Sequence, residues 1–326
     1  MEGNIQKFTN RLCRCRHCAM YEFKNREDVK SFDAEILRPA WTEVGRLIGA
    51  HPINISLVYR ERSVMLHIND LRIKYCAPHR TSLNHSNLVH IELRRNIDNY
   101  PPTGPDASIS LKTTSEFFLK KPVIDTCFFL EMPRMKVEEL RINSYRGRYR
   151  KNDFIHETFD AFHISGIQPV QVKKLVITVK EQDHLMMILP CFQPEALEEL
   201  HLSFPMHGDS SLDFGLSEGL VSSRVWNNMK ILKMNGLKID FTPYMRHFQH
   251  FVEFWIVVET LSNSDVLEFT KIVLNAPNLI HAQIDVEKGD DLSEGSLKWK
   301  SILRNEFLYL KIEGKRITFR FENAES

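Results

Sequence analysis

One spaced pattern of apolar residues recurs seven times in the last two thirds of this chain and constrains its fold more than any other feature. Each copy has an apolar residue, two free positions, a second apolar residue, one free position and a third. Because the last two members lie two positions apart, both point to one face of a strand. The copies are Val137-Leu140-Ile142, Val172-Leu175-Ile177, Leu197-Leu200-Leu202, Met229-Leu232-Met234, Phe251-Phe254-Ile256, Leu279-Ala282-Ile284 and Phe307-Leu310-Ile312.

The segments between these copies predict helices that return the chain to the start of the next strand. Residues 265–274 place apolar side chains on one helical face, with Ser264 as the N-cap and Pro277 beyond the end. Residues 183–189 have the same spacing and stop at Pro190. Leucine-rich repeats alternate strand and return segment at intervals of about 20–29 residues. The pattern therefore predicts an α/β fold, an irregular leucine-rich-repeat-like solenoid with parallel strands and return helices. An irregular α/β sheet is the alternative.

The first third of the chain has a different organisation. Residues 1–30 are charged and lack apolar periodicity, which predicts a flexible basic head. A helical spacing of apolar residues follows, and then short β-like runs at 55–59, 63–68 and 71–76 predict a β-meander. Prolines and a glycine at 99–105 favour a boundary near residue 105. The predicted domains are a head at 1–30, a helix and β-meander at 31–105, and a leucine-rich-repeat-like binding domain at 106–326.

The overall charge excludes a general attraction to nucleic acid. The chain has 43 lysines and arginines against 42 aspartates and glutamates, so its net charge is +1, and nucleic acid is an unlikely partner without a local basic patch. The strongly apolar stretch 251–258 contains Glu253 and is far shorter than the about 20 residues that cross a membrane. We therefore expect no membrane association and an intracellular location, cytoplasmic or nuclear, with reduced thiols.

Neither catalysis nor a cofactor is predicted. Cys13, Cys15, His17 and Cys18 could ligate zinc, but no second ligand pair follows nearby, so we predict no metal site and interpret the segment as a reactive basic head. The chain lacks a G-x-S-x-G elbow, an H-E-x-x-H pair and a glycine-rich phosphate loop. We expect a non-enzyme with no catalytic residues and no cofactor. A hydrolase assembled from distant segments is the alternative.

The residues between the apolar positions of each copy predict the functional surface, because they point away from the core. One row is Arg141, Val176, His201, Lys233, Trp255, Gln283 and Lys311. A second row, one position before the middle apolar residue, is Glu139, Lys174, Glu199, Ile231, Glu253, His281 and Tyr309. Mixed charge with aromatic side chains is typical of protein-binding faces. The candidate binding residues are Arg141, His201, Lys233, Trp255, Gln283, Tyr309 and Lys311.

Trp255 is the best candidate for an anchor of this surface, and it has two interpretations. It lies in the strand FVEFWIVV at 251–258, where nearly every residue is apolar. A strand of this kind is often covered on both faces. Trp255 is therefore either an exposed binding residue or a core residue, and the pattern favours neither.

The segment DHLMMILPCFQPEALEELHL at 183–202, with HFQHF at 247–251 and LSNSDVL at 261–267, resembles the F-box-associated FTH domain of nematodes. This family is also catalogued as domain of unknown function 38, and the resemblance covers roughly residues 120–290. It implies a substrate adaptor of an SCF ubiquitin ligase, with a protein target and a Skp1-like subunit as partners. The F-box itself is missing or degenerate, because only residues 36–48 resemble its last helix.

These observations together predict a non-catalytic protein-binding module. The resemblance favours a substrate-recognition adaptor related to SCF ubiquitin ligase F-box proteins. The alternative is a stand-alone RNA-binding or protein-binding regulator without ligase association, in which Lys174, Lys233, Lys311 and the basic head would contact RNA.

Overall fold

The computed structural model describes the chain from residue 52 to residue 323, with gaps. The described ranges are 52–60, 63–69, 71–76, 88–95, 107–112, 117–130, 135–144, 169–179, 182–204, 211–288, 292–301, 304 and 306–323. They form two compact units: the first takes residues up to 173 and residues 187–193, and the second takes 174–186 and 194 onward. The predicted basic head, the F-box remnant at 36–48 and the boundary near residue 105 lie outside the described residues.

The first unit is built on a mixed sheet and one described helix. Its strands are β1 (Ile53–Arg60), β2 (Ser63–Ile68), β3 (Leu71–Cys76), β4 (Leu88–Arg95), β5 (Ala107–Lys112) and β6 (Lys136–Ser144), and its helix is α1 (Phe117–Leu130). The strand order is β6-β1-β2-β3-β4-β5, with β1 parallel to β6 and the other pairs antiparallel. The predicted β-meander is confirmed.

Alternation along the first strands explains how this unit buries a core. In β1 the side chains of Ile53, Ile55, Leu57 and Tyr59 are buried, while the residues between them are exposed or partly exposed. Helix α1 packs against β1, β2 and β3. The Tyr75 hydroxyl donates a hydrogen bond of 2.5 Å to the buried carboxyl of Asp125 in α1.

The second unit is a mixed sheet of parallel and antiparallel strands. Its strands are β7 (Gln171–Thr178, in this unit from residue 174), β8 (Glu199–Ser203), β9 (Leu212–Asp213), β10 (Ile231–Ile239), β11 (Glu253–Val258), β12 (His281–Val286), β13 (Gly295–Lys300), β14 (Glu306–Glu313) and β15 (Arg316–Asn323). The order is β7-β8-β10-β11-β12-β15-β14-β13, with β9 beside β10. Pairs from β7 to β12 are parallel, and pairs from β12 to β13 are antiparallel.

Helical segments connect the parallel strands, as the sequence predicted. They are α2 (Gln182–Ile188) with a 3-10 turn (Leu189–Cys191), α3 (Glu218–Val221), α4 (Arg224–Asn228), a 3-10 helix (Thr242–Phe248) and α5 (Asn263–Leu274). The predicted cap of α5 is wrong by two residues. Ser262, with extended φ and ψ of −86° and 162°, is the N-cap, and its Oγ accepts from the Asp265 amide while Asp265 accepts from the Ser262 amide. This reciprocal capping box requires a carboxylate three residues after the cap, which Ser264 lacks.

The apolar pattern correctly predicted which side chains are buried. Every member of the first six copies is buried, and in the last copy only Phe307 is partly exposed. Aromatic side chains fill the layer beneath β10 and β11, where Trp226, Phe248, Phe251, Phe254 and Phe269 meet largely edge to face. Burial of this apolar surface is the main favourable contribution to folding of the unit.

The prediction that all seven copies form parallel strands is wrong for the last one. Phe307-Leu310-Ile312 lies on β14, which is antiparallel to β13 and β15 and is separated from β12 by β15. The physical reason is the two-residue turn Gly314-Lys315, in which Gly314 has a φ of +54°. A two-residue hairpin turn can join only antiparallel strands, and glycine adopts this backbone conformation at little cost. The fold is therefore α/β with a mixed sheet.

Candidate protein-binding face

The predicted outward residues of the second unit lie in direct register across its sheet. Val176 pairs with His201, His201 with Lys233, Lys233 with Trp255, and Trp255 with Gln283. The row continues from Gln283 to Thr318 on β15 and from Thr318 to Lys311 on β14. We call this set the central row: Val176, His201, Lys233, Trp255, Gln283, Thr318 and Lys311.

A second row runs beside the central row with the same regularity. It consists of Lys174, Glu199, Ile231, Glu253, His281, Arg320 and Tyr309, each paired with its neighbours in the sheet. Sequence analysis missed Thr318 and Arg320, because their strand does not carry the three-member pattern. The alternation Ile317, Phe319, Phe321, whose members are all buried, is the signal that could have found them.

Trp255 lies on the outward face of β11, where it is partly exposed. Its neighbours Phe254 and Ile256 are 0% and 1% exposed and point into the core. Successive side chains of a strand point to opposite faces. Trp255 therefore belongs to the outward face and not to the aromatic core, although adjacent side chains cover part of its ring.

Two neighbours orient the Trp255 indole. The Lys233 ammonium lies 3.7 Å from the centroid of the ring, and the His281 imidazole lies 5.7 Å away at an interplanar angle of 61°. A cation over an indole contributes about 0.5–1 kcal/mol at an exposed site. An aromatic side chain held in this way loses little conformational entropy when it binds a partner.

His281 is held mainly in its neutral form beside Trp255. Burial lowers the pKa of the imidazole, and the positive charge of Arg320 lowers it further, while Glu253 opposes both effects. Neutral imidazole can donate one hydrogen bond and accept another. The centre of the face therefore combines an aromatic surface with a polar group that carries little charge at neutral pH.

Most other charges on this face are neutralised by neighbours on the same face. Glu199 lies 3.8 Å from the Lys174 ammonium and 3.5 Å from Nε2 of His201. Lys311 pairs with Glu313 at 2.6 Å. Such pairs leave a face of mixed charge around Trp255 and not a continuous positive stripe.

Gln283 and Arg316 both form hydrogen bonds with the same carboxylate on the face. The Gln283 amide donates to Asp285 at 3.1 Å, and the same carboxylate accepts from Arg316 at 2.8 Å. Asp285 raises the pKa of the Arg316 guanidinium through this bond. The side chains of β12 and β15 therefore support one another along the edge of the face.

Arg141 is the one candidate residue outside the second unit. It lies on β6 of the first unit, where it pairs with Ser56 of β1. Its guanidinium donates to Oε1 of Glu139 at 2.7 and 3.0 Å. The outward face of β6 thus has its own ion pair, and Arg141 is not a member of the central row.

Other kinds of site have little support among the described residues. In that part of the chain no group of three or more His, Cys, Asp or Glu side chains could hold a metal ion, and the cysteine cluster at 13–18 lies outside it. An open depression is bordered by Asp285, Val286, Glu313, Lys315 and Arg316. Burial raises the pKa of Cys191 to about 11, which makes it a poor nucleophile.

None of the helices that the structure describes is long and apolar enough to cross a membrane.

Comparison with known families finds a match for part of the chain. Residues 153–295 match the family model of the FTH domain. The match includes the parallel strands β7, β8, β10, β11 and β12 with Lys233, Trp255 and His281, whereas β14 and β15 follow it in sequence. No curated protein and no solved structure matches the chain. The resemblance predicted from the segments at 183–202, 247–251 and 261–267 is confirmed, because residues 153–295 of the chain match the FTH domain.

Proposed function

We propose that the chain is a non-catalytic protein-binding module that holds its target on the central row, with Trp255 as the anchor. The observation that carries the proposal is the position of this indole. It is partly exposed on an outward face that also carries charged and polar side chains, and Lys233 and His281 both contact it. Tryptophan is enriched among the residues that dominate binding energy at protein interfaces.

The charge distribution favours a protein target over RNA. RNA binding through phosphates needs cations that are free to replace counterions. Lys174 and Lys311 instead have carboxylates within 3.8 and 2.6 Å, and Lys233 covers an indole. A face of paired charges around an aromatic centre suits a protein surface of similar mixed polarity.

The described depression offers no support for a hydrolase on this face. A hydrolase needs a concave site in which a base, a nucleophile and an oxyanion-binding group converge. The depression near β12 and β15 is bordered by neither His201 nor His281. We therefore propose no catalytic residues and no cofactor for the chain.

We further propose that the parallel strands act as a short leucine-rich-repeat-like surface. Helical segments connect the parallel strands β7, β8, β10, β11 and β12, and each of these five strands contributes one side chain to the central row. Repeat proteins bind targets on rows of this kind, because equivalent positions of successive strands form a continuous surface. The antiparallel strands β13–β15 would close this surface on one side.

The family resemblance supports a role as a substrate-recognition adaptor of an SCF ubiquitin ligase. In this proposal the FTH domain holds the target and residues 36–48 contact a Skp1-like subunit, at an intracellular location in the cytoplasm or nucleus. The alternative is a stand-alone regulator that binds its protein target without a ligase.

Replacement of the anchor tests the proposed binding face. Tagged wild-type protein and Trp255→Ala are expressed in parallel, and the recovered proteins are quantified by mass spectrometry. We expect Trp255→Ala to lose at least about tenfold in recovery of the target, since anchor residues contribute about 2 kcal/mol or more. Leu267→Ala is the matched control, because Leu267 is a 52% exposed apolar residue on α5. Equal recovery with Trp255→Ala and wild type would refute the anchor.

A truncation tests the ligase proposal separately. The chain of residues 1–326 and a version lacking residues 1–50 are purified side by side and examined for Skp1-like and cullin subunits. Recovery of these subunits with the full chain, but not with the truncated version, supports an adaptor. Their absence from both samples, with the target still present, supports the stand-alone regulator.

A further inference from the structure

Strand β13 (Gly295–Lys300) is the end of the second unit's sheet in the part of the chain that the structure describes. The Ser301 amide donates to the Glu306 carbonyl at 3.0 Å, and Trp299 pairs with Leu308. In an antiparallel ladder alternate residues direct both backbone groups to the partner strand. Ser296, Lys298 and Lys300 therefore direct their N–H and C=O groups away from β14, where a further strand could accept and donate hydrogen bonds.

The core-facing side of β13 carries apolar side chains. Leu297 pairs with Leu310 and Trp299 with Leu308, and both leucines of β14 are buried. Leu297 itself is 53% exposed, the highest value among the large apolar side chains of the described residues. A further strand with apolar residues opposite Leu297 and Trp299 would extend the core by one layer of side chains.

The other side of β13 is basic. Lys298 lies over the rings of Phe307 and Tyr309, 4.0 and 4.7 Å from their centroids. Within the described residues neither Lys298 nor Lys300 forms an ion pair with a carboxylate, whereas the neighbouring Lys311 does. This side of the edge therefore has an excess of positive charge beside an aromatic surface.

Lysines on an edge strand also discourage self-association. A second copy of β13 placed alongside would bring the lysines of both strands together, and like charges close together across strands are destabilising. The same lysines attract a strand with carboxylates on that side. The charge pattern therefore disfavours a second copy of this chain and favours an acidic partner.

We propose that β13 binds an extended acidic peptide segment of a partner protein as an additional strand. Glutamate or aspartate would lie opposite Lys298 and Lys300, and apolar side chains would lie opposite Leu297 and Trp299. Backbone hydrogen bonds to Ser296, Lys298 and Lys300 would supply much of the affinity, as in other cases of strand addition to a sheet edge. This edge adjoins the end of the central row, since Ser296 pairs with Lys311. Three strands separate β13 from β11, and the proposal does not depend on the role of Trp255.

Peptides of defined charge test the proposal with the full chain. The probes are two fluorescein-labelled octapeptides, (Glu-Val)4 and (Lys-Val)4, measured by fluorescence anisotropy at low salt. We expect (Glu-Val)4 to bind wild type with an affinity at least about tenfold higher than that of (Lys-Val)4. A difference of this size is what two favourable cross-strand charge pairs contribute. In the double variant Lys298→Glu, Lys300→Glu this preference should reverse. Lys271→Glu, at an exposed position on α5, is the control and should keep the wild-type preference.

A backbone variant separates strand addition from simple charge attraction. Lys298→Pro removes an N–H that points away from β14 and should abolish binding of both peptides, while Trp255→Ala should leave binding unchanged. If Lys298→Pro melts at a lower temperature than wild type, its loss of binding is not used, and the peptide preference of the double variant Lys298→Glu, Lys300→Glu tests the proposal. The proposal is overturned if (Glu-Val)4 does not bind wild type, or if a folded Lys298→Pro binds normally. It is also overturned if sedimentation shows a dimer that Lys298→Pro dissociates, since the occupant is then a second copy.

Discussion

The parallel strands β8–β12 and the antiparallel strands β13–β15 belong to the same sheet of the second unit and differ in how completely they are covered. In the parallel part, return segments lie over the core-facing side, and residues such as Leu200 and Phe254 are fully buried. At the antiparallel end, Phe307 is partly exposed and Leu297 is 53% exposed. An apolar residue at a core-facing position is thus buried only if a neighbouring element covers it.

The two regions also differ in what the outward side chains do. Around β10–β12 the outward residues form a dense set of contacts centred on Trp255. On β13 the outward Lys298 contacts two aromatic rings, and neither Lys298 nor Lys300 pairs with a carboxylate of the described residues. The parallel region therefore offers a preorganised face, while the antiparallel end offers an open edge.

The largest expected difference between the two regions is in the cost of removing a leucine. Leu200→Ala in β8 should lower the free energy of unfolding by about 2–5 kcal/mol, because it leaves a cavity in a fully buried site. Leu297→Ala in β13 should lower it by no more than about 0.5–1 kcal/mol. Urea denaturation of both variants measures the contrast. Similar losses would mean that the antiparallel end is covered as completely as the parallel part.

A smaller effect should follow from removing the cap of α5, the return helix between β11 and β12. Ser262→Ala should lower the free energy of unfolding by about 1 kcal/mol, since the Asp265 amide loses its acceptor. Ser264→Ala should cost less than half as much, because Ser264 accepts no backbone amide of the first turn in the described capping geometry. Thermal melts of the two variants distinguish them. A larger loss from Ser264→Ala would identify it as the true cap.

The smallest expected effect concerns the ionisation of His281. Its pKa is lowered by burial and by Arg320, so the unfolded chain binds the proton more readily than the folded chain. The contribution of His281 to stability is therefore present above its ordinary pKa of about 6.5 and decreases as the pH falls from there through the lower folded pKa.

An NMR titration of the His281 imidazole measures this shift. We expect a midpoint below about 6.5, and a rise in that midpoint in Arg320→Ala, because the opposing positive charge is removed. Arg246→Ala, at an exposed position in the 3-10 helix, should leave the midpoint unchanged. A midpoint at or above the ordinary value would show that the face around Trp255 is more hydrated than the structure indicates.

Much of the second unit could be predicted from spacing alone, because burial is a local consequence of strand alternation. The members of the two predicted rows on β7, β8, β10, β11 and β12 lie in register, and the helix at α5 lies within two residues of its predicted start. Strand direction could not be predicted in this way. Alternation is the same in parallel and antiparallel strands, and only the turn at Gly314-Lys315 distinguishes β14 from the earlier copies.

The candidate site was predictable in position but not in detail. The pattern identified Lys233 and Trp255 as outward residues. It did not decide whether Trp255 is exposed or part of the core, because Val257 and Val258 make its strand apolar on both sides. The contact between Lys233 and the indole depends on the register of two strands that lie 22 positions apart along the chain. Such a register is set by the intervening segment, for which the sequence offers no simple rule.

Site-specific photo-crosslinking tests most directly whether the central row binds the target. Gln283, which pairs with Trp255 on that row, is replaced by benzoylphenylalanine in the otherwise wild-type protein, and cells are irradiated before purification. Leu267 on α5, which is 52% exposed, is replaced in the same way as a control. We predict a discrete crosslinked partner from position 283 and none from position 267. A partner crosslinked from position 267 alone, or equally from both positions, would contradict the proposal.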